Sequence, residues 1–469
     1  MFRKQRVDRQ EDIWISRLEI STTPQMDYYR KLNAAFASFD FGDKVRALCE
    51  ACYCTDPSVG GRPGIDPEVY VKMLLVGFLE GIPSERGIAS RCADSLAIRE
   101  FLGFDLTERT PHHSTLTVIR KRLDEQTYKA IFGVMLKALQ AHKLVKGRRI
   151  GIDTSVIEAN ASLKSLQHRM TGASYWEYVR QLAGAAGIDP NDSDAVRRFD
   201  RHRTDRKTSN TEWENPHDPD ARIGKSKRGA TRMLHKPEHV TDLDTGAILD
   251  AEILPADQRD TDELAARIFS AEDQINAALG NEPDTALFTS VTADKGYFKV
   301  NEIVELHREG VATVISDPIS NRRLDKLSSE QRASVRKARR ATRSKRGKAL
   351  LKRRGIHLER TFAQILHHWN TRTTTVRGQK NLSKRYQIAA LACNVALLMR
   401  HLHGIGTPRQ ALALARRGRQ ALLSGIFGCF SSLLHHTHCG WVLTLVKDHR
   451  ESLREPSPCA TSFTSSFAH

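Results

Sequence analysis

The stretch Arg149-Ile150-Gly151-Ile152-Asp153-Thr154-Ser155 decides how the rest of this chain is interpreted. Its alternation over a few positions predicts a short strand that ends in an acid. A second such segment runs from Ala286 to Ala293 and is followed directly by Asp294. Because chemistry in α/β sheets gathers beyond the carboxyl ends of strands, Asp153 and Asp294 are candidate site residues, provided that their strands are neighbours.

The segments around these two strands predict a mixed sheet. Met233–Leu243 and Ala247–Ile253 have strand character, and the turn Asp244-Thr245-Gly246 between them predicts a hairpin. Helices and strands then alternate, with helices predicted at Thr261–Ala278 and Asn301–Glu309 and a strand at Val311–Ile315. This order predicts an α/β fold with a mixed sheet, interrupted by a polar insert at about 160–228.

Residues 1–144 carry helical rather than strand-like patterns, which predict an all-α domain. Asp66 and Pro67 form a helix start signal, and Ser114 is the predicted cap of a helix that ends near Leu123. That helix carries Arg120 and Lys121 outside its apolar stripe. Two interpretations stay open: a DNA-recognition helix, or an ordinary amphipathic helix with a solvated basic face.

The charge balance favours a polyanionic partner. The 469 residues carry a net charge of +18, and fifteen of the 34 residues in 321–354 are Lys or Arg. Charge of one sign at this density predicts a segment that binds the DNA backbone. Its predicted contacts are Arg336, Lys337, Arg339, Arg340, Arg343, Lys345 and Arg346.

Glu359 is the third candidate acid and follows this basic segment. It lies at the edge of a helical apolar stripe that includes Leu358 and Phe362, so it is expected to be partly buried and to need a partner. The alternatives are an ion pair with Arg360 or Arg354, or a shared cation with Asp153 and Asp294. Carboxylate oxygens suit Mg²⁺ or Mn²⁺, and two such ions stabilise both oxygens of a phosphodiester displacement.

Several other classes of protein are disfavoured. Cys49, Cys52 and Cys54 lack a second pair at zinc-ribbon spacing, and neither a nucleophile elbow nor a P-loop is present. The run His235-Lys236-Pro237-Glu238-His239 matches a zinc-peptidase pattern, but its proline and strand-like flanks oppose the required helix. The chain shows no signal peptide and no stretch of about 18 apolar residues, which predicts a cytoplasmic, nucleoid-associated protein without a membrane.

The motifs together resemble the DDE transposases of bacterial insertion sequences. The resemblance spans about 30–410 and rests on 151–160, 239–246, 293–297 and the run from Arg346 to Gly378. It implies an RNase H-like catalytic core behind a helical N-terminal domain, with the residues Asp153, Asp294 and Glu359 as catalytic and metal-binding triad. It further implies phosphate contacts from Arg353, Arg354 and Arg377, and contacts to the cut strand from Lys295 and Tyr297.

The predicted organisation follows from these observations. Residues 1–144 form the helical DNA-binding domain, 145–403 the catalytic domain, and 404–469 a divergent, partly disordered tail. The expected partner is double-stranded DNA, both element ends and target, bound by a homodimer or a larger synaptic complex. Two alternatives remain: a catalytically inactive DNA-binding or repressor protein, and an RNase H-like nuclease without strand transfer.

Overall fold

A computed structural model describes residues 22–53, 64–206, 208–227, 229–282, 285–319, 322–418 and 420. Cys54 and the tail beyond 420, which includes the segment predicted to be disordered, lie outside the described residues. The chain divides into two units, Met1–Ala411 and Leu412–His469.

The N-terminal part is helical, as predicted. Its helices α1–α7 span Pro24–Ala37, Phe41–Cys49, Pro67–Glu80, Glu85–Asp94, Leu96–Leu102, His113–Arg122 and Glu125–Ala141. The start of α3 is the predicted one, because an Asp66 side-chain oxygen accepts from the Glu68 N–H at 2.7 Å and Pro67 opens the helix. Helix α6 differs from prediction, since His112 rather than Ser114 is its capping residue.

The sheet follows these helices. Strands β1–β9 span Arg149–Thr154, Ile157–Glu158, Gln167–His168, Trp213–Glu214, Arg222–Lys225, Thr231–Asp242, Ile248–Pro255, Ser290–Thr292 and Ala312–Val314. The order is β2-β6-β1-β8-β9, with β5 and β7 also paired to β6, while β3 and β4 form a separate pair. Strand β1 is antiparallel to β6 and parallel to β8, and β8 is parallel to β9. The sheet is therefore mixed, and the predicted hairpin is its β6–β7 pair.

Six α-helices precede the last long helix in the described part of the chain from the insert onward. Helices α8 and α9 of the insert span Tyr175–Ala185 and Ser193–His202, and α10 and α11 span Leu264–Leu279 and Val300–Arg308. The basic segment forms α12, Ser329–Arg343, and the first part of α13, Lys345–Phe362. A π-helical turn at Ala363–His368 extends α13. The α12–α13 corner requires Gly347, since a Cβ there would lie 1.9 Å from the Ala341 carbonyl oxygen.

The last long helix, α14 at Gln379–His403, closes the free edge of β7. The side-chain amides of Gln379, Gln387 and Asn394 donate to the carbonyls of Ile253, Ala251 and Ile248 at 2.6–2.8 Å. Asn394 also accepts from the Ile248 N–H at 3.0 Å. These amides satisfy strand groups that would otherwise be unpaired at a buried edge.

Helix α14 also corrects one prediction. The segment Gln379–Gly418 is long and apolar enough to cross a membrane by length and composition, so the expectation that no such stretch exists was wrong. Most of α14 is buried, with Leu391, Val395 and Leu398 fully enclosed. It packs on α3, α7 and β7 within one core that includes residues of the helical part and of the sheet. Its apolar character is therefore that of a core helix.

Candidate active site

Two of the three predicted acids lie at the same edge of the sheet. In the parallel pairing of β1 with β8, Ile150 lies opposite Val291 and Gly151 opposite Thr292. The same register, continued by two residues, sets Asp153 opposite Asp294. The negative charge of Asp294 also contributes to the raised pKa of Asp153, which places both carboxylates within electrostatic reach. The neighbouring strands required by the prediction are thus present.

Asp153 is half-buried and has a cationic partner. Its Oδ2 accepts from the Arg354 guanidinium at 2.9 Å, and its Oδ1 accepts from the Thr154 N–H at 2.9 Å. Burial is the main cause of the raised pKa of Asp153, and it outweighs the lowering by Arg354 and by the Thr154 N–H. The negative charge of the ionised Asp153 carboxylate is therefore only partly offset by its neighbours. A bound cation would stabilise this charge further.

Asp294 is exposed and organises the loop that follows β8. Its side chain accepts from the Gly296 N–H at 2.6 Å and caps a 3-10 turn at Lys295–Tyr297. This turn exposes Lys295 and buries Tyr297 to 1% exposure. Tyr297 consequently belongs to the floor of the site, and the expected contact between its ring and a DNA strand does not agree with its burial.

Helix α13 reaches the site because β1 has a glycine where the helix crosses it. A Cβ at Gly151 would lie 2.7 Å from Leu243 Cδ2 and 3.0 Å from Leu358 Cδ1. Further along, Phe362 stacks on His239 with ring centroids 4.1 Å apart. His239 lies opposite Asp153 in the β1–β6 pairing. The last turns of α13 are therefore docked beside the end of β1.

His239 fixes that docking through both ring nitrogens. Nδ1 lies 3.2 Å from the Thr361 hydroxyl and Nε2 lies 2.7 Å from the Tyr386 hydroxyl. Complete burial lowers the pKa of His239 to about 3, so the ring is neutral at physiological pH. Its role is to join β6, α13 and α14, and its position on a strand removes the helix that a zinc-peptidase motif requires.

Glu359 lies on α13 and differs from expectation in being exposed. No hydrogen bond or ion pair joins it to another described residue, and Arg354, one of the predicted alternatives, pairs with Asp153 instead. Its Oε1 lies 3.7 Å from the position that a Cβ of Gly355 would take. That separation is an ordinary van der Waals distance, so the Glu359 carboxylate lies over Gly355, one turn earlier on the helix.

The direction of Glu359 follows from the two flanks of α13. On one flank, Arg353 bonds to Asp244 at 3.0 Å, beyond the end of β6. On another, Leu350 belongs to a buried cluster with Val314 of β9 and Leu243. At about 100° per residue, Glu359 lies about 180° from Leu350 and about 140° from Arg354, whose guanidinium contacts Asp153. Glu359 therefore lies on another face of α13 from Leu350 and Arg354.

The donor set suits a divalent cation, although the carboxylates are not drawn together. Among the residues that the structure describes, no three His, Cys, Asp or Glu side chains are grouped closely enough to hold a metal ion. The chemistry nonetheless fits, because all three acids offer oxygen ligands, Glu359 has no competing partner, and Asp153 has a cationic guanidinium as its neighbour. Ligation would require the Arg354 contact to open or to share Asp153.

Sequence reasoning missed a fourth acid at this edge. Asp260 follows β7, and its Oδ1 accepts from the Thr154 hydroxyl at 3.0 Å and pairs with the buried Lys236 ammonium. Only strand pairing places it here: β7 pairs antiparallel with β6, and β6 with β1, so β7 and β1 end at the same edge. Lys227, between β5 and β6, was also missed, and its charge lowers the pKa of Asp153.

The predicted DNA contacts separate into free and engaged side chains. The basic face, defined here as six exposed Lys and Arg residues of α12 and the start of α13, has no ion pairs to other described residues. Its members are Arg336, Lys337, Arg340, Arg343, Lys345 and Arg346. Lys121 and Lys295 are exposed as well.

The engaged side chains are held by partners in the chain itself. Arg339 pairs with Asp317 at 2.9 Å, and Arg353 pairs with Asp244 at 3.0 Å. Arg377 donates to the Asn160 carbonyl at 3.2 Å. Arg120 is mostly buried in an ion pair with Glu85, so the expected DNA contact at this position is taken by an internal partner.

A mixed sheet with adjacent strand-end aspartates, preceded by a helical region, is the RNase H-like arrangement of DDE domains, and this confirms the predicted fold class. The family comparison agrees. Residues 20–122 match a transposase domain, DUF772, and residues 200–395 match the transposase DDE domain. The chain therefore has a transposase DDE domain with an N-terminal DUF772 transposase domain. Comparison with curated proteins and with solved structures found no match.

The matched ranges divide the candidate acids. Asp294 and Glu359 lie inside the DDE match, whereas Asp153 lies before its start at residue 200. A DDE transposase domain implies a DNA-binding transposase of a family that typically uses a divalent metal. The placement of Asp153 at the site depends on the β1–β8 pairing.

Proposed function

We propose that this chain is a DNA transposase that cuts the ends of an insertion sequence and joins them to target DNA. The observation that best supports the proposal is the parallel pairing of β1 with β8, because Asp153 and Asp294 each follow the paired positions of these neighbouring strands. Glu359, exposed on α13 and without an ion-pair partner among the described residues, is the third proposed ligand. These carboxylates would hold Mg²⁺ or Mn²⁺, which supplies charge neutralisation to the phosphodiester under attack.

The chemistry has two displacements, and each conserves atoms. In the first, water attacks a phosphodiester at the element end and leaves a free 3′-hydroxyl on one side and a 5′-phosphate on the other. In the second, that 3′-hydroxyl attacks a phosphorus atom of target DNA, so a new phosphodiester forms as a 3′-hydroxyl of the target strand leaves. The Arg354 guanidinium offsets negative charge beside Asp153, and Lys295 presents a cation next to Asp294. Two ends must be held for joining, so we propose a homodimer or larger complex.

The proposal is tested with purified protein and linear DNA that carries the regions flanking its gene. With Mg²⁺, we expect nicked and joined products at defined ends, measured on denaturing gels, and no products with EDTA. DNA with scrambled flanks is the control. Hydrolysis without joined products would favour a nuclease. Tight binding of the flanks without products would favour an inactive DNA-binding protein, which the Arg354–Asp153 contact and the separated carboxylates would then explain.

The basic face is the proposed DNA backbone site. Replacing Arg336, Lys337 and Arg340 by Ala should weaken binding and reduce the log–log salt slope by up to about 2.7, since each phosphate contact contributes about 0.9. Fluorescence anisotropy across a salt series measures both quantities.

The matched control removes three exposed arginines from α9 of the insert, Arg197, Arg198 and Arg201. It changes net charge equally on another helix. If both triple variants lose the same affinity and the same slope, the effect comes from net charge alone, and the basic face is not a specific site.

A further inference from the structure

Asp260 is placed to hold the end of β1. Its Oδ1 accepts from the Thr154 hydroxyl at 3.0 Å, one residue after Asp153. This contact joins the loop that follows β7 to the strand that carries the first candidate acid. Because Thr154 also donates its N–H to Asp153, Thr154 is a direct bridge between the two carboxylates.

The second oxygen of Asp260 faces the loop of Asp294. A Cβ at Gly296 would lie 2.9 Å from Asp294 Oδ1 and 3.7 Å from Asp260 Oδ2. Both carboxylates therefore converge on one glycine, and any side chain there would displace one of them. Asp260 Oδ2 has no hydrogen-bond partner among the described residues, so the group is only half satisfied by the protein.

The positive charge of Lys236 offsets the negative charge of Asp260, the fourth carboxylate at this edge of the sheet. Its buried ammonium pairs with Asp260 Oδ1 and donates to the Gln258 carbonyl at 2.7 Å. Lys236 belongs to β6, whose next residue, Pro237, accepts from the Ser155 N–H at 2.9 Å. The lysine and its strand thus fix the Asp260 loop from one side while Thr154 fixes it from the other. Uncompensated carboxylates in this small region would repel one another.

We propose that Asp260 is a positioning residue that acts through Thr154 to hold Asp153 in the orientation needed for cation binding. Lys236 sets the position and offsets the charge of Asp260. The inference rests on the proposed function, since it assigns Asp153 to a cation site, and it adds a residue that sequence patterns did not single out. Residues that orient metal ligands change metal affinity or activity by about 10–100-fold when they are replaced.

The test uses the full chain with Mn²⁺ as probe, measured by electron paramagnetic resonance without DNA, alongside the cleavage assay. Asp260→Ala should weaken Mn²⁺ binding by about tenfold or more. Thr154→Val should give a similar loss, and the double variant should be little worse than either single one, because both remove the same contact. Asp260→Asn keeps an oxygen acceptor for Thr154 and should retain most of the affinity.

Asp262→Asn is the control, since it removes an exposed carboxylate from the same loop. Thermal unfolding checks that each variant is folded. Wild-type Mn²⁺ affinity in Asp260→Ala, or fully additive losses in the double variant, would overturn the inference. If the wild-type chain binds Mn²⁺ but cuts no DNA, the proposed function fails while the Mn²⁺ comparison still decides the role of Asp260. A wild-type chain that binds no Mn²⁺ overturns both.

Discussion

Asp153→Asn is expected to lower the rate of DNA strand cleavage by about 10³-fold, the size of loss found when one group that stabilises transition-state charge is removed. That loss equals about 4 kcal/mol of activation free energy. The substitution keeps the shape of the side chain and its hydrogen-bond acceptor while removing the negative charge at the end of β1. Single-turnover cleavage of end-carrying DNA measures it. Glu359→Gln should lose a similar factor, whereas Glu305→Gln, at another exposed helical glutamate, should retain wild-type activity.

The same variant has a predictable effect on stability. The pKa of Asp153 is raised in the folded chain, so its ionised form costs folding free energy above the unfolded pKa of about 3.9. Without added metal, Asp153→Asn should therefore be at least as stable as wild type at neutral pH. The difference should vanish as the pH falls below that value, because the carboxyl is then protonated in both states. A variant that is inactive because it is unfolded would contradict the catalytic assignment.

Arg267→Met is expected to destabilise the chain by about 3–5 kcal/mol, the usual cost of leaving buried charges without their partner. Arg267 donates to Glu238 and to Asp250 at 2.6 Å each, and Glu252 lies 3.4 Å away. The arginine joins α10 to β6 and β7, so its loss leaves three carboxylates with mainly Lys129 to offset them. Urea unfolding monitored by circular dichroism measures the change.

The pH dependence of this loss follows from Glu238. Burial raises the pKa of Glu238 to about 7 even with Arg267 present. Protonation of Glu238 removes one uncompensated charge, so the deficit of Arg267→Met should be smaller at pH 5 than at pH 8. Arg308→Met is the control, because it breaks an Arg–Glu pair on the surface, with Glu330, and should leave stability almost unchanged. Equal losses of stability in Arg267→Met and Arg308→Met would show that burial of the ion pair does not set its contribution to stability.

Local sequence signals predicted elements well where neighbours in the chain decide the structure. The β6–β7 hairpin follows from the turn that ends in Gly246, whose φ of +80° suits glycine. Helix α3 follows from Asp66 and Pro67. The predicted strand 286–293 is shortened to Ser290–Thr292, because pairing with β1 and β9, which sequence does not show, sets its bounds. The boundary at 144/145 stays a prediction.

The site was predictable only in part. Asp153 and Asp294 were recognised as strand-end acids, but their proximity depends on β8 pairing in parallel with β1. The exposure of Glu359 depends on how α13 turns over the sheet. Asp260 escaped notice because it lies in a polar loop, where an aspartate has no local pattern to mark it. Arg120 and Tyr297 were assigned to DNA contacts because sequence does not show that Arg120 pairs with Glu85 or that Tyr297 is buried.

The sequence by itself determined the kinds of elements, the acids available to a site and the density of positive charge, since these depend on composition and on neighbours along the chain. The tertiary structure decided which acids share one edge of the sheet, which basic residues remain free and which are held by Glu85, Asp244 or Asp153. Those outcomes depend on strand pairing and helix docking between residues far apart in the chain. Burial and pairing in three dimensions, rather than residue type, set whether a charge is available to a ligand.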